Sequence, residues 1–367
     1  MAEKAIRLGG ESTAAAITQA VQELYPEHKF TEEEFARKDN AAEIAVDTNF
    51  AAQSFWKDVR IRFFRKKSAV LGLVMIMIIL LLAIFGPGMN AYTYSGQDLS
   101  QKNFAPRVPG IEQFGILDGS EKMSTTTGSK SVNAYVEKGK DDVYYWFGSD
   151  LYGRDIWTRT WEGARVSLII AVAAAVIDMV IGMSYGLISG YFGGRVDMVM
   201  QRFLEVANGI PRLVIVTLLL LVLQPGMVTI IFALMLTEWV GMSRIARAEM
   251  LKLKDQEFVL ASRTLGAGSF FIIFKEVLPN IIGPIITQVM FSIPTAIFTE
   301  AFLSFVGLGI PVPQCSLGSL ISELYNSFTT HPYQIIPPIV VMSLLMLSFN
   351  LVADGLREAL DPKMKSM

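Results

Sequence analysis

The run Ala69–Phe85, AVLGLVMIMIILLLAIF, contains no charged residue and no polar side chain. A helix needs about 20 mostly apolar residues to cross a hydrocarbon core of roughly 30 Å, at about 1.5 Å per residue. With its flanks, this run predicts a membrane-spanning helix. The stretch just upstream, Ser54–Ser68, reads SFWKDVRIRFFRKKS and carries Lys57, Arg60, Arg62, Arg65, Lys66 and Lys67. Basic residues accumulate on the cytoplasmic side of a span, so the N-terminus is expected in the cytoplasm. The run begins only after Ser68, too late for the apolar part of a cleaved signal, and is therefore expected to stay as an anchor.

Five more apolar stretches follow: Val166–Tyr191, about Gly209–Leu223 behind Pro211, Val228–Met242, Ile281–Leu308 with Pro284 and Pro294 inside it, and about Ile335–Val352 with Pro337 and Pro338 near its start. Gln224-Pro225-Gly226 separates the third span from the fourth. Six spans return the C-terminus to the cytoplasm. The loops agree with this orientation. The predicted inner loop Ser243–Asn280 holds Arg244, Arg247, Lys252, Lys254, Arg263 and Lys275, whereas the predicted outer segments Gln224–Met227 and Gly309–Gln334 hold no Lys or Arg. The long outer segment Gly86–Arg165 is exempt from the rule.

Outside the spans, residues 1–55 are polar and acid-rich (Glu32, Glu33, Glu34, Asp39, Glu43, Asp47) and read as a cytoplasmic extension. Residues 56–85 form a basic interfacial segment and the first span. Residues 86–147, with the low-complexity piece KMSTTTGSKS, read as an irregular extracytoplasmic insertion, and Trp146, Phe147, Trp157 and Trp161 as an aromatic belt at the outer interface. Residues 148–362 hold the other spans, with a cytoplasmic loop at 250–280, and 363–367 form a cytoplasmic tail.

Composition removes several chemistries. With one cysteine, Cys315, and two histidines, His28 and His331, the 367-residue chain cannot build a Cys/His zinc site, a CxxC redox pair or an intrachain disulfide. A phosphate cradle needs Gly-x4-Gly-Lys-Ser/Thr. Gly139-Lys140-Asp141 lacks the hydroxyl, and Gly128-Ser129-Lys130-Ser131 lacks the Gly-Lys pair, so the chain is expected neither to hydrolyse ATP nor to bind a cofactor. Asp178, Glu238 and Glu300 are the main charges inside the predicted spans, without the Asp, Glu and His chain of a proton relay. An ion-coupled transporter working from a single acidic site stays open.

The inner loop carries the sharpest pattern, Asp255-QEFVLASRTLGAGSFFIIFKEVLP-Asn280. Phe258, Ala261, Ser262 and Leu265 share one face of a short helix. Gly266 stands where a helix commonly ends on a left-handed residue. Phe270, Ile273, Phe274 and Val277 then repeat the spacing, and Leu278-Pro279 is expected to close a second helix before the fifth span. Small Ala261 and Ser262 would admit a partner surface close to the first helix.

Aligned on Gly266, this segment resembles the EAA loop of bacterial ABC importer permeases: Ala261, Gly266 and Leu278-Pro279 match, while Leu260, Ser262 and Glu276 replace the usual glutamate, second alanine and isoleucine. Phe147-GSDLYGRDIWTRTWEGARVSL, Gly190-YFGGRVD, Ile210-Pro211, Glu300-AFLSFVGLGIPVP and Asn350-LVADGLREALDP extend the resemblance to the C-type permease subunit of the dipeptide/oligopeptide importers. They cover roughly Trp146–Pro362. Leu317 departs from the tryptophan usual before Gly318. The resemblance implies an all-α polytopic protein of six transmembrane helices with the type I importer permease (MetI-like) fold, in a bacterial cell membrane. It further implies a second homologous permease of the B type, two cytoplasmic ATPases, an extracellular peptide-binding lipoprotein and a peptide substrate; nothing points to nucleic acid. No second copy of the pattern is detectable here, so half of the pathway must come from another chain. Glu257, Phe258, Ala261, Ser262, Arg263, Leu265, Gly266, Phe270, Phe274 and Pro279 are then the residues expected to couple to the ATPases. Nickel chelates, glutathione or another small solute remain alternative substrates.

Gly182, Gly186, Gly190 and Gly194 recur every four residues and are expected to pack helices closely. Asp178 lies one turn earlier on that stripe and should face protein or a water-filled cavity. Two readings stand for it, a contact for a peptide amine and a satisfied structural carboxylate. Glu238 and Glu300 read equally as gate or cavity residues and as structural hydrogen-bond acceptors. Arg154 is expected to pair locally with Asp150 and Asp155.

Overall fold

The computed structural model describes residues 55–125 and 128–360. The expected acid-rich extension, apart from Phe55, and the tail 363–367 lie outside the described residues. Helix α1, Phe55–Arg65, meets α2, Lys67–Phe85, at Lys66, where extended backbone (φ −83°, ψ 103°) breaks the helix. Val59 and Phe63 of α1 bury against Ala69, Val352, Ala359 and Leu360. Lys66 adds an ion pair of 2.5 Å to Glu358.

The longer helices that follow are α3, Ile156–Phe192; α4, Gly194–Gly209; α5, Arg212–Val222; α6, Met227–Leu253; α7, Glu257–Thr264; α8, Ser269–Leu308; α9, Leu317–Tyr325; and α10, Pro332–Leu360. Among the described residues, α2, α3, α6, α8 and α10 are the five helices long and apolar enough to cross a membrane. The third of the six expected spans, Gly209–Leu223, is different. The helix there, α5, has 11 residues, a rise of about 16 Å and roughly half the hydrocarbon thickness. It reaches span length only together with α4, from which it is bent by 76°. Pro211 at the N-cap of α5 has no N–H to donate and holds its φ fixed, so the chain cannot continue straight from α4.

The main core joins Ile79 and Ala83 of α2, Trp161, Ala164 and Leu168 of α3, Ile293 and Ile297 of α8, Leu317 of α9, and Val341 and Leu345 of α10. Leu317 is fully buried there. Residues facing away from it stay apolar: Leu71, Val74, Ile78 and Leu81 are each about half exposed, as a lipid-facing surface requires. A second core ties Leu187 of α3 and Met242, Ala246 and Met250 of α6 to Val259 of α7 and to Ile272, Ile273, Val277 and Ile281 of α8.

Three wide π-helical turns interrupt the long helices, at Asp178–Gly182, Ile272–Val277 and Ser304–Leu308. The second changes an expectation. Leu278-Pro279 does not end a helix; Pro279 is the second residue of the α-helical part of α8, Leu278–Leu303. Its ring crowds the carbonyl four residues back and offers it no N–H, and the turn before it widens instead of breaking. The four residues at the expected spacing are covered unequally: Ile273 and Val277 are buried, Phe274 is half-buried, and Phe270 is exposed with its ring 4.4 Å from that of Phe274.

Between α2 and α3 the chain builds a small unit around Phe104, Tyr135 and Tyr145. The low-complexity piece, read as irregular, contributes to an antiparallel hairpin of β1, Ser120–Thr125, and β2, Gly128–Asn133, in the register Ser120↔Asn133. Tyr135 donates its hydroxyl to the Ala105 carbonyl at 2.8 Å. His331, before α10, reaches the hairpin through Glu121, with Nδ1 2.9 Å from Oε2.

Candidate functional site

Helix α7 ends as its glycine suggests. Gly266 has φ +83°, its N–H donates to the Arg263 carbonyl and that of Ala267 to the Ser262 carbonyl, each at 3.0 Å. This pair of bonds is the Schellman motif, which needs a left-handed residue at the turn. Val259 alone of α7 is buried, in the core shared with α6 and α8. The face carrying Phe258, Ala261 and Leu265 points outward, with Ser262 half-buried behind it. Leu265 is 88% and Phe270 74% exposed. Glu257 and Arg263 are exposed beside them, and the Arg263 guanidinium lies 4.9 Å from the Tyr191 ring.

The glycine stripe brings α3 onto α6. A Cβ on Gly182 would come within 2.6 Å of the Trp239 carbonyl oxygen, on Gly186 within 2.1 Å of that of Ser243, and on Gly190 within 2.9 Å of the Met250 Cβ. Gly194 does not belong to this contact. It opens α4 with φ +51° and empty space around it, because Gly193, at φ +59°, has already turned the chain away from α6.

Where α3 and α6 approach, a cavity of about 260 Å³ is lined by Asp178, Asn208, Thr237, Glu238, Val240, Gly241, Arg244, Gln288, Ser292 and Thr295. It unites Asp178 with Glu238, which were read separately in the sequence. Asp178 is 2% exposed. Glu238 is half-buried and lies 3.5 Å from the Thr299 hydroxyl. Glu300 does not reach the cavity. It is fully buried toward the α9 end, where Oε1 accepts from Ser304 at 2.7 Å and Ser316 at 2.5 Å, and Oε2 lies 3.4 Å from the Ser167 hydroxyl. Ser167 in turn accepts the Leu317 N–H at 3.1 Å, so Glu300 organises the start of α9 against α3. Sequence reasoning missed Gln288, Ser292 and Thr295. Their i, i+4, i+7 spacing is a polar stripe within an apolar span, and that signal was available.

The same end carries a buried ionic cluster. Asp150 Oδ2 accepts from Arg154 Nε at 2.7 Å and from Arg159 Nη1 at 2.8 Å. Arg159 Nη2 donates to Glu323 Oε2 at 2.7 Å, and Arg154 Nη2 also pairs with Glu323. Burial pulls the Glu323 carboxyl upward, but the guanidinia of Arg159 and Arg154 outweigh it and hold the group below its ordinary range. Asp155 is not part of this cluster. It caps α3, accepting from the Thr158 N–H at 2.8 Å and from Asn90 Nδ2 at 2.7 Å. Arg159 and Glu323, separated by 164 positions, could not be paired from sequence.

Comparison with known proteins names the family. The family described as binding-protein-dependent transport system inner membrane component matches residues 182–366, and the N-terminal TM domain of oligopeptide transport permease C matches residues 54–106. The oligopeptide transport system permease protein OppC of Bacillus subtilis is 42% identical over 312 residues, covering 85% of this chain and 91% of its own. The dipeptide transport system permease protein DppC of Lactococcus lactis is 42% identical over 318 residues, covering 85% and 92%. The OppC of Escherichia coli is 33% identical over 311 residues, covering 85% and 92%. A chain of the MetNI methionine ABC transporter in an inward facing conformation aligns with 54% of this chain and 94% of its own, at 16% identity and a TM-score of 0.45. By its family models and these relatives the chain belongs to the inner-membrane components of binding-protein-dependent transport systems, as an ABC importer permease of the oligopeptide and dipeptide branch: a multi-span transport protein that works with ATPase and substrate-binding partners.

Proposed function

We propose that this chain forms half of the translocation pathway of an ATP-driven importer for short peptides, with both termini and α7 in the cytoplasm and α9 outside. The observation that carries the coupling role is the outward apolar surface of α7 and the segment after it. Leu265 and Phe270 are exposed on a loop that is itself anchored through Val259. Exposed apolar clusters on a well-anchored element mark interaction surfaces. The partner that fits is one of two cytoplasmic ATPases, since the sequence holds no phosphate cradle of its own.

The mechanism follows from the shared core. Movement of the ATPase pair pushes on Phe258, Leu265 and Phe270; Val259, Ile272 and Ile273 pass it to α6 and α8, because close-packed interiors transmit displacement. Those helices supply Glu238, Gly241, Arg244, Gln288, Ser292 and Thr295 to the polar cavity, which would change shape with them. A second permease completes the pathway, and an extracellular peptide-binding lipoprotein delivers the peptide. The unit between α2 and α3 and the α9 end supply the surface for that delivery. The relatives' names favour oligopeptides or dipeptides over nickel chelates and glutathione.

Vesicles containing the purified complex of two permeases and two ATPases, supplied with the peptide-binding lipoprotein, should take up labelled peptide only with ATP. Uptake that follows an ion gradient without the ATPases would sink this reading, and unlabelled peptides, glutathione or nickel chelate as competitors would identify the substrate. Gly266→Val tests the coupling loop. A β-branched residue at φ +83° costs roughly 1–2 kcal/mol and should distort the end of α7 without touching the spans. Peptide uptake should fall more than about tenfold with membrane insertion unchanged, while Gly266→Asn, which tolerates the left-handed region, should keep most of it. Normal uptake by Gly266→Val would refute the joint.

A further inference from the structure

The cavity between α3, α6 and α8 contains a carboxylate whose hydrogen bonding is incomplete. Asp178 is 2% exposed, yet its Oδ1 has no hydrogen-bond partner among the described residues. Glu238 and Ser292 line the cavity with it, and the Ser292 hydroxyl donates to the Val289 carbonyl at 2.9 Å. A buried acceptor left open inside a spanning helix is costly and marks a functional group by default. Asp178 also opens the π-helical turn Asp178–Gly182, and such turns in α-helices frequently sit at functional sites.

The lining says what the open oxygen fits. Asn208, Gln288, Ser292 and Thr295 offer amide and hydroxyl oxygens around the cavity that holds the carboxylate, and Glu238 and Arg244 add one charge of each sign to its wall. A primary ammonium has three donors and no acceptor, so it is satisfied by one carboxylate oxygen together with neutral oxygens of this kind. Free peptides differ in side chains but share one such group, their N-terminus, which is protonated below about pH 7.7–8.0. An acceptor for it would serve peptides of any sequence, and a single contact in a wet cavity releases its guest. We propose that Asp178 is the acceptor in the pathway for the α-ammonium group of the passing peptide. This rests on the peptide-importer reading above and assigns a specificity-determining residue within it.

The test uses the complete reconstituted complex with one saturating binding protein and two probes, a labelled pentapeptide with a free N-terminus and its N-acetylated twin. The readout is the ratio of their ATP-dependent uptake rates, so any preference of the binding protein cancels between permease variants. Asp178→Asn should lower the ratio about tenfold, the scale of one charge-assisted hydrogen bond, and Asp178→Glu should restore part of it. Thr295→Lys is the second variant, because Thr295 is exposed on the cavity wall and tolerates a longer side chain without disturbing the core. Its fixed ammonium should occupy the acceptor and lower the ratio at least threefold, and it decides the matter alone if Asp178→Asn fails to assemble. A ratio within twofold of wild type in every assembled variant, with peptide uptake intact, overturns the ammonium site and leaves the importer reading standing. A wild-type complex that moves neither probe overturns the importer reading and the site with it.

Discussion

Arg159→Met is expected to destabilise the α9 end of the protein by about 3–5 kcal/mol, the usual effect of removing one partner from a buried ion pair. Arg159 is fully buried and uses both terminal nitrogens, one on Asp150 and one on Glu323. Without it those two carboxylates share Arg154 alone. The desolvation of Asp150, whose side chain is 2% exposed, then remains without full compensation. Thermal unfolding of the detergent-solubilised protein, with limited proteolysis around Leu317–Tyr325, reads the effect. Arg159→Met combined with Glu323→Leu should recover at least half of the loss, because an apolar replacement of similar volume removes the buried charges together. A single variant that unfolds like wild type would show that the cluster does not hold α9 to α3. The pH dependence has a definite sign. The Glu323 carboxyl is lowered in the folded state, so its contribution is fully present above about pH 4.3 and is lost as pH falls through its lower folded value. Glu323→Gln should remove that part of the acid limb.

Gly186→Val is expected to abolish both folding yield and transport. A Cβ there would sit 2.1 Å from the Ser243 carbonyl oxygen and 2.8 Å from the Ala246 Cβ, so the backbones of α3 and α6 would have to separate. Overpacking a well-packed contact costs about 1–3 kcal/mol and more where backbone must move. Separation would also widen the cavity that both helices line. Gly194→Asn is the control, since Gly194 has open space around it and asparagine tolerates its φ of +51°. Yields of monodisperse protein and uptake rates compare the two. If Gly186→Val is as well tolerated as Gly194→Asn, the close approach of the helices is wrong.

The contrast between these two glycines shows how far a local pattern can be read. The four-residue repeat runs from Gly182 to Gly194, but the contact it predicts depends on the helix continuing, and Gly193 ends it. Pro279 has the opposite history: a residue that ordinarily stops a helix is accommodated because the preceding turn widens. The expected third span is met only as a bent pair of helices, again because of a turn. Leu213–Leu220 is apolar enough, but its connection through Pro211 bends it by 76° from the helix that would lengthen it. In each case a neighbouring turn, rather than the apolar residues themselves, decided the outcome. Gly266 was legible because the turn and the residue that permits it are adjacent in the chain.

The family and its function class were legible from strings of residues, as were the apolar runs that became α2, α3, α6, α8 and α10. These depend on composition and on short periods, which a chain carries whether or not it is folded. The identity of the groups that meet in space was decided by tertiary structure alone. Asp178 and Glu238 share a cavity because small glycines let α3 approach α6, while Glu300, chemically similar, is sealed among serines of three different segments. Arg159 finds Glu323 across 164 positions because α9 folds back onto α3. Hydrogen bonds act over about 3 Å. A partner is therefore set by where the backbone brings each side chain, and that position is a property of the packed helices together.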